Sequence, residues 1–268
     1  MTPRLAPLLL WCLCLVAGNQ AQAALRIVSL APSLTEIVTQ LGAADQLVGV
    51  LDAGPRPPGL ESVPSVGRYG SLDIERLLSL KPDLLLLWPG SVSQAQRAQL
   101  QRLGLAVHVS EPHTLEQLGE QVREIGAQIG EAERGQALAE HFARQLLELR
   151  ERYHRQPPVP VFYQVWDKPL YTVGGGQVIS DAIAVCGGSN IFADLKLPAP
   201  QVSIEAVLQR KPQLVVVPDA AQLEAWRQWA VPHVLVGDPA LERPSINMLV
   251  ATEKLCKRMQ ALPGLTPP

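Results

Sequence analysis

Aromatic and acidic side chains stand where predicted β-strands or loops end, and this is where α/β proteins place their ligand sites. Four of these residues are candidates for ligand contact: Tyr69, Trp88, Trp166 and Asp238. Aromatic residues make up only 4% of the chain. Their concentration at these ends therefore indicates a cleft lined with flat apolar faces, suited to a large ring-bearing ligand. The alternative is that the rings fill an interface between two lobes.

Two glutamates, Glu75 and Glu205, occupy the same position in two copies of one segment. The copies read DIERLLSLKPDLLLLW (73–88) and SIEAVLQRKPQLVVVP (203–218), at a constant offset of 130 residues. Each glutamate is the second residue of a predicted helix that follows a capping Asp or Ser. At that position the helix dipole stabilises a carboxylate by about 0.3 to 1 kcal/mol. Capping accounts for each glutamate separately, whereas its presence in both copies favours an additional role.

The sequence contains no recognisable catalytic constellation. Its five histidines show no metal-ligand spacing. His108 and His113 flank Glu111 after a predicted strand, but no third ligand is near in sequence, which favours a solvated loop over a metal site. The glycine run 174–176 lacks the patterns of phosphate-binding loops, which favours a mobile turn. We therefore expect a protein that is not an enzyme and that holds neither a metal nor a resident cofactor.

Strands and helices alternate along the chain. The first strand is predicted at 25–30, and a capping box formed by Ser33 and Glu36 is expected to open the next helix. The alternation restarts at 157 with a new strand. This order predicts an α/β fold of two Rossmann-like lobes with parallel sheets, one over 24–130 and one over 157–268.

A long amphipathic helix is predicted between the lobes, over 131–156. Its apolar residues recur at helical spacing: Leu138, Phe142, Leu146, Leu149 and Tyr153. A helix of this length spans nearly 40 Å at 1.5 Å per residue, enough to reach from one lobe to the other. A stiff connection of this kind implies a ligand cleft between the lobes and small hinge motions.

The chain begins with a predicted secretory signal at 1–23, which has Arg4, a short apolar run and a small-residue cleavage site. The sequence around Cys12 and Cys14 does not match a lipoprotein signal. The formal net charge is −2 at pH 7 with no basic stripe, which argues against nucleic-acid binding. Cys186 and Cys256 remain in the mature chain, and an even number in an exported protein favours a disulfide over two free thiols.

Five segments carry a resemblance that extends over the whole mature chain. They are RIVSLAPSLTE, IERLLSLKPDLLLLW, VCGGSNIF, PQVSIEAVL and LERPSINMLVATEKLC. In these segments the chain resembles the periplasmic substrate-binding proteins of ABC importers, and within that family the cobalamin binders. The resemblance implies a periplasmic protein, monomeric when free, that captures a corrinoid such as cobalamin and delivers it to a permease dimer. A haem or an iron siderophore is the alternative ligand.

The resemblance also implies roles for individual ligand-site residues. Tyr69 and Trp88 match aromatic ligand contacts of the family, with Tyr69 in place of a tryptophan. Asp238, Glu242 and Arg243 fall on a polar segment that reaches the ligand in the family. The chain departs from the family at Ala53 and Ala199, where the family has a tyrosine and a tryptophan. Trp166 is expected to replace part of the lost aromatic surface.

Two further roles are implied outside the ligand site. Glu75 and Glu205 match the family's glutamates that form salt bridges with arginines of the permease, one per permease subunit. The pair corresponding to Cys186 and Cys256 is disulfide-bonded in the family's cobalamin binders.

Overall fold

The computed structural model describes residues 24–265. The predicted signal peptide, including Cys12 and Cys14, lies outside the described residues, as do residues 266–268. Within the described range, no helix combines the length and the apolar character needed to cross a bilayer.

A six-stranded sheet forms the N-terminal lobe. Its strands are β1 (Ile27–Ser29), β2 (Leu47–Asp52), β3 (Ser65–Arg68), β4 (Ser71–Leu72), β5 (Leu84–Leu87) and β6 (Val107–Val109). They lie in the order β4-β3-β2-β1-β5-β6, and all neighbours are parallel except β3 and β4. The helices of this lobe are α1 (Pro32–Gln40), α2 (Ile74–Ser79), α3 (Gln94–Arg102) and α4 (Leu115–Gln128).

The linker is helix α5 (Ala132–Tyr153), which confirms the long helix predicted over this stretch. Its residues Phe142, Leu146, Leu149 and Tyr153 are buried, and they belong to one apolar cluster that continues into both lobes. The linker therefore packs against both lobes along its length and does not cross open solvent between them.

The C-terminal lobe repeats the parallel arrangement. Its strands are β7 (Val159–Asp167), β8 (Leu170–Thr172), β9 (Gly188–Asn190), β10 (Leu214–Val217) and β11 (His233–Val236). β11, β10, β7 and β9 are parallel neighbours, while β8 pairs antiparallel with β7. The helices are α6 (Val178–Val185), α7 (Ile204–Gln209), α8 (Ala221–Arg227) and α9 (Ile246–Gln260). The predicted two-lobed α/β fold is confirmed.

The repeated segment adopts the same structure in both lobes. α2 and α7 are six-residue helices, and β5 and β10 are fully buried four-residue strands. After each helix comes a lysine with a left-handed backbone, Lys81 with φ of 45° and Lys211 with φ of 49°, followed by a proline. The 130-residue offset seen in the sequence is thus also present in three dimensions.

A disulfide joins Cys186, at the end of α6, to Cys256 in α9, with an S–S distance of 2.07 Å. This confirms the bridge favoured by the even cysteine count. The bridge closes a separation of 70 residues. In the chain-entropy account, a loop of this length stabilises the folded state by about 4 kcal/mol.

Two local expectations were wrong. The capping box at α1 does not form: Ala31 is the N-cap residue, without a side-chain cap, and Pro32 starts the helix. Glu36 is turned instead toward the C-terminal lobe, as described below. The glycine run is not a mobile turn, because a Cβ on Gly174 or Gly175 would come within 2.1 Å or 2.0 Å of a carbonyl oxygen in the facing segment.

Candidate functional site

A cavity of about 410 Å³ lies between the two lobes. On the N-terminal side it is lined by residues that follow β1, β2, β5 and β6, together with the turn between β3 and β4. These are Ala31, Pro32, Ser33, Ala53, Tyr69, Trp88, Glu111 and Pro112. On the opposite side it is lined by Val173, Gln177, Val178, Ile179, Pro239, Leu241, Glu242, Arg243 and Pro244. The carboxyl ends of the N-terminal strands thus face the cavity, as expected for a parallel sheet.

Two aromatic rings form one wall of the cavity. Tyr69 and Trp88 pack edge to face, with ring centroids 6.2 Å apart and an interplanar angle of 76°. They remain 46% and 38% exposed, so both rings offer apolar surface to a ligand. Partial desolvation raises the pKa of Tyr69 above its usual value of 10.0, and the phenol stays protonated at neutral pH. Their predicted position in the cleft is therefore confirmed.

Gly90 leaves the room that Trp88 needs. A Cβ at Gly90 would lie 2.2 Å from the indole ring. Trp88 is also held from behind, since its carbonyl oxygen accepts a hydrogen bond from Ser91 Oγ at 2.6 Å. Gly90 is thus a site residue that the sequence analysis missed. Its only signal was its place two residues after the tryptophan.

The polar side of the cavity centres on Glu242 and Arg243. Burial raises the pKa of Glu242 above its usual value of 4.5, although a hydrogen bond from Tyr163 Oη at 3.3 Å and the charge of Arg243 act in the opposite direction. Tyr163 is itself buried, and the same burial together with Glu242 raises its pKa well above 10.0. Glu242 thus remains close to the cavity with only one neutral hydrogen-bond donor from Tyr163.

Arg243 forms an ion pair with Glu36 of the opposite lobe. Its Nε lies 3.1 Å from Glu36 Oε1, and Glu36 is 12% exposed. The Nε–H direction does not meet hydrogen-bond geometry, so this contact is electrostatic. The other oxygen, Glu36 Oε2, accepts a hydrogen bond from Ser245 Oγ at 2.7 Å. Ser245 is the N-cap of α9, and the carboxylate is therefore held at the start of that helix, where the dipole favours a negative charge.

A second polar contact links the lobes through Asp181 of α6. Its Oδ2 accepts a hydrogen bond from the backbone N–H of Leu115, the first residue of α4, at 2.8 Å. Arg150 of the linker helix lies 3.2 Å from the Asp181 carboxylate and also pairs with Glu116 of α4. The linker helix therefore joins the two lobes through ion pairs as well as through its apolar face.

Two predicted ligand residues lie outside the lining of the cavity. Asp238 caps the turn Pro239–Glu242 by accepting from Ala240 N at 3.0 Å, and it pairs with Lys254 at 2.8 Å. The hydrogen bond from Lys254 is the main reason that the pKa of Asp238 falls below 3.8. Trp166 lies near the end of β7 and is 60% exposed. Contact of either residue with a ligand stays a prediction. Ala53 lines the cavity, whereas Ala199 is exposed elsewhere.

The histidines beside Glu111 have other partners. His108 Nδ1 lies 2.9 Å from Gln128 Nε2, and His113 Nδ1 lies 2.7 Å from the carbonyl oxygen of Gly176 across the cleft. Within residues 24–265, no group of three or more His, Cys, Asp or Glu side chains is arranged to hold a metal ion. Glu111 instead lines the cavity. The strand-end rule applied to β6 would have identified it as a ligand-site candidate.

Glu75 and Glu205 lie at the exposed starts of the two equivalent helices. The caps form as predicted: Asp73 accepts from Arg76 N at 2.9 Å, and Ser203 accepts from Ala206 N at 3.2 Å. Hydrogen bonds from its own backbone N–H and from Ser203 lower the pKa of Glu205 below 4.5. Among the described ion pairs, neither glutamate is a member, so both carboxylates are available to an external cation.

Two α/β lobes on one packed helix, with an aromatic-lined cavity between them, define a two-lobed ligand-binding protein. The family model for periplasmic binding proteins matches residues 27–244, and the chain belongs to that family.

Individual relatives extend over nearly the whole chain. The chain is 35% identical over 249 residues to the vitamin B12-binding protein of Yersinia pestis, covering 91% of this chain and 89% of the relative. The crystal structure of the periplasmic vitamin B12-binding protein of Vibrio cholerae superposes with a TM-score of 0.80 and 33% identity, covering 87% of this chain and 95% of that one. A periplasmic heme-binding protein from Roseiflexus shares the fold, with a TM-score of 0.74, 22% identity, and coverage of 87% and 97%.

Proposed function

We propose that this chain is the substrate-binding component of an ABC importer and captures cobalamin or a related corrinoid in the cavity between its lobes. The observation that carries the proposal is the exposed wall formed by Tyr69 and Trp88 at the carboxyl ends of the strands. A corrin is a broad ring with an apolar face, and aromatic side chains bind such faces with little loss of conformational entropy. The 35% identity to a vitamin B12-binding protein supports the same ligand.

Polar groups around the wall suit the periphery of a corrin. Ser33, Gln177 and Glu242 line the cavity and can exchange hydrogen bonds with the ring's amide side chains. Ala53 leaves open space where the cobalamin binders of the family have a larger ring, so we expect tolerance for corrinoids that differ in size on that side. The ligand is bound and released unchanged, as befits a carrier rather than an enzyme.

Isothermal titration of cyanocobalamin into the mature chain, residues 24–268, tests the ligand. We expect one site per chain and saturable heat. An absence of heat at micromolar protein would contradict the corrinoid proposal. Titration with haem under the same conditions gives the comparison, and tighter binding of haem than of cyanocobalamin would replace corrinoid with haem as the ligand.

Delivery to the permease is proposed to use Glu75 and Glu205. A two-lobed binder that meets a dimeric permease needs one matched anchor per lobe, and these carboxylates occupy equivalent, exposed and unpaired positions. We expect the protein to act in the periplasm, after removal of residues 1–23, and to be monomeric until it docks.

Substitution of both glutamates separates docking from ligand capture. Glu75→Ala with Glu205→Ala should leave the Kd for cyanocobalamin unchanged, while ATP hydrolysis by the reconstituted permease is no longer stimulated by the binding protein. Glu151→Ala is the matched control, because Glu151 is an exposed glutamate of the linker helix outside the cavity lining. Full stimulation by the double variant would refute the docking role.

A further inference from the structure

The cavity lining contains an excess of carboxylates. Besides Tyr69, the ionisable side chains that line it in the described range are Glu111, Glu242 and Arg243. Glu111 follows β6 of the N-terminal lobe and Glu242 ends the turn after β11, so the carboxylates come from opposite sides of the cleft. Neither takes part in an ion pair that meets the distance criterion with a described residue, and Glu242 accepts its hydrogen bond from the neutral Tyr163 hydroxyl.

The only cation among these three lining groups is already paired. Arg243 Nε is 3.1 Å from Glu36 Oε1, and Glu36 is nearly buried and fixed by Ser245. A guanidinium that shares its charge with a buried carboxylate attracts an incoming anion much less than a free one does, because the two charges largely cancel at a distance. The ligand therefore meets the uncompensated charge of Glu111 and Glu242.

We infer that Glu36 is a specificity-determining residue: by pairing with Arg243 it keeps the cleft acidic, so that the cleft selects neutral or cationic amide-bearing macrocycles over ring ligands that carry carboxylates. Peripheral amides can donate N–H groups to Glu111 and Glu242, whereas a carboxylate on the ligand would be repelled by both. The inference rests on the proposed function only in taking the cavity between the lobes as the ligand site.

Ligand pairs that share one ring and differ in charge provide the test. The first pair is cyanocobalamin and its monocarboxylate, in which one peripheral amide is hydrolysed. The second pair is haem dimethyl ester and haem. For each pair, the ratio of the Kd of the charged member to that of the uncharged member is measured by titration. For the wild type we expect a ratio of roughly 3 to 30, the range for one unit charge near the two carboxylates at intermediate dielectric.

Three single substitutions should lower this ratio. Glu111→Gln and Glu242→Gln each remove one repelling charge, and Glu36→Gln releases the charge of Arg243. Glu36→Gln should have no effect on the ratio in an Arg243→Met background, which a merely structural role of Glu36 would not predict. Glu151→Gln is the control for the loss of a carboxylate outside the cavity, and thermal unfolding shows whether each variant is folded. If Glu36→Gln does not fold, the exposed Glu111 still allows the ratio to be tested.

The two ligand pairs distinguish failure of this inference from failure of the corrinoid proposal. If cyanocobalamin binds and the ratio is within twofold of 1 in the wild type, or is unchanged in Glu111→Gln, the inference is overturned and the corrinoid proposal stands. If only the haem pair binds, with the ester favoured and the ratio lowered by the substitutions, the inference stands and the corrinoid proposal fails. Binding of neither pair overturns both.

Discussion

Removal of Trp88 should weaken ligand binding by an amount that follows from its exposure. A tryptophan side chain presents up to about 250 Å², and Trp88 is 38% exposed. Roughly 95 Å² is thus left for a ligand, and at about 25 cal/mol per Å² its complete burial contributes about 2.4 kcal/mol, or about 1.2 kcal/mol if half is covered. Trp88→Ala should therefore raise the Kd for cyanocobalamin by roughly 8- to 60-fold.

Calorimetric titration of Trp88→Ala beside two other variants makes this test specific. Trp229→Ala removes a partly buried tryptophan that packs in the core of the C-terminal lobe outside the cavity lining, and it should leave the Kd unchanged. Gly90→Ala keeps the indole but forces it to move, because the new Cβ would lie 2.2 Å from the ring, so it should weaken binding too. A Kd for Trp88→Ala within twofold of the wild type would refute the aromatic wall as the ligand surface.

Three further perturbations test the fold and its electrostatics. Replacing Cys186 and Cys256 together by alanine should lower the free energy of unfolding by about 4 kcal/mol in urea titrations; a loss under about 1 kcal/mol would contradict the loop-closure account. Lys211→Gly should raise the free energy of unfolding by up to about 1 kcal/mol, since relief of a left-handed φ of 49° outweighs the added chain entropy, and a decrease would argue against strain there. The Asp238 pKa lies below 3.8 in the folded state, so its stabilising effect is complete above that value and is lost as pH falls through the folded-state pKa. The stability difference between the wild type and Asp238→Asn should therefore shrink in acid, and a difference that is constant with pH would contradict it.

Much of the fold could be predicted from local signals. Period-3.6 spacing predicted the linker helix, and the duplicated Lys-Pro segment predicted equivalent helix–strand units in both lobes, because each signal lies within one short stretch of chain. Helix α4 had such a signal and was missed: Leu115, Leu118, Val122 and Ile125 are buried at helical spacing after the Thr114 cap. Strand β9, by contrast, consists of Gly188–Asn190, a sequence with low strand propensity that is held by pairing with β7.

The candidate site was predictable only in part, for a related reason. The rule that ligands bind after strand ends located Trp88 from sequence alone, and it applies equally to Glu111. The pairing of Glu36 with Arg243 and Ser245 could not be predicted, because the Glu36–Ser245 contact joins residues 209 positions apart and depends on how the lobes pack against each other. Local reasoning gave Glu36 a capping role, since a glutamate three residues after a serine satisfies the capping-box pattern.

The central claim is that the chain carries one unmodified corrinoid in the cavity between its lobes. The most direct measurement is to incubate the mature protein with a mixture of cyanocobalamin and haem, isolate the protein by size exclusion, and identify the retained ligand by absorption and mass spectrometry. The account predicts one intact cyanocobalamin per chain in the wild type and a marked loss of it when Tyr69 and Trp88 are both replaced by alanine. Retention of haem instead, recovery of an altered corrinoid, or equal retention by the double variant would contradict it.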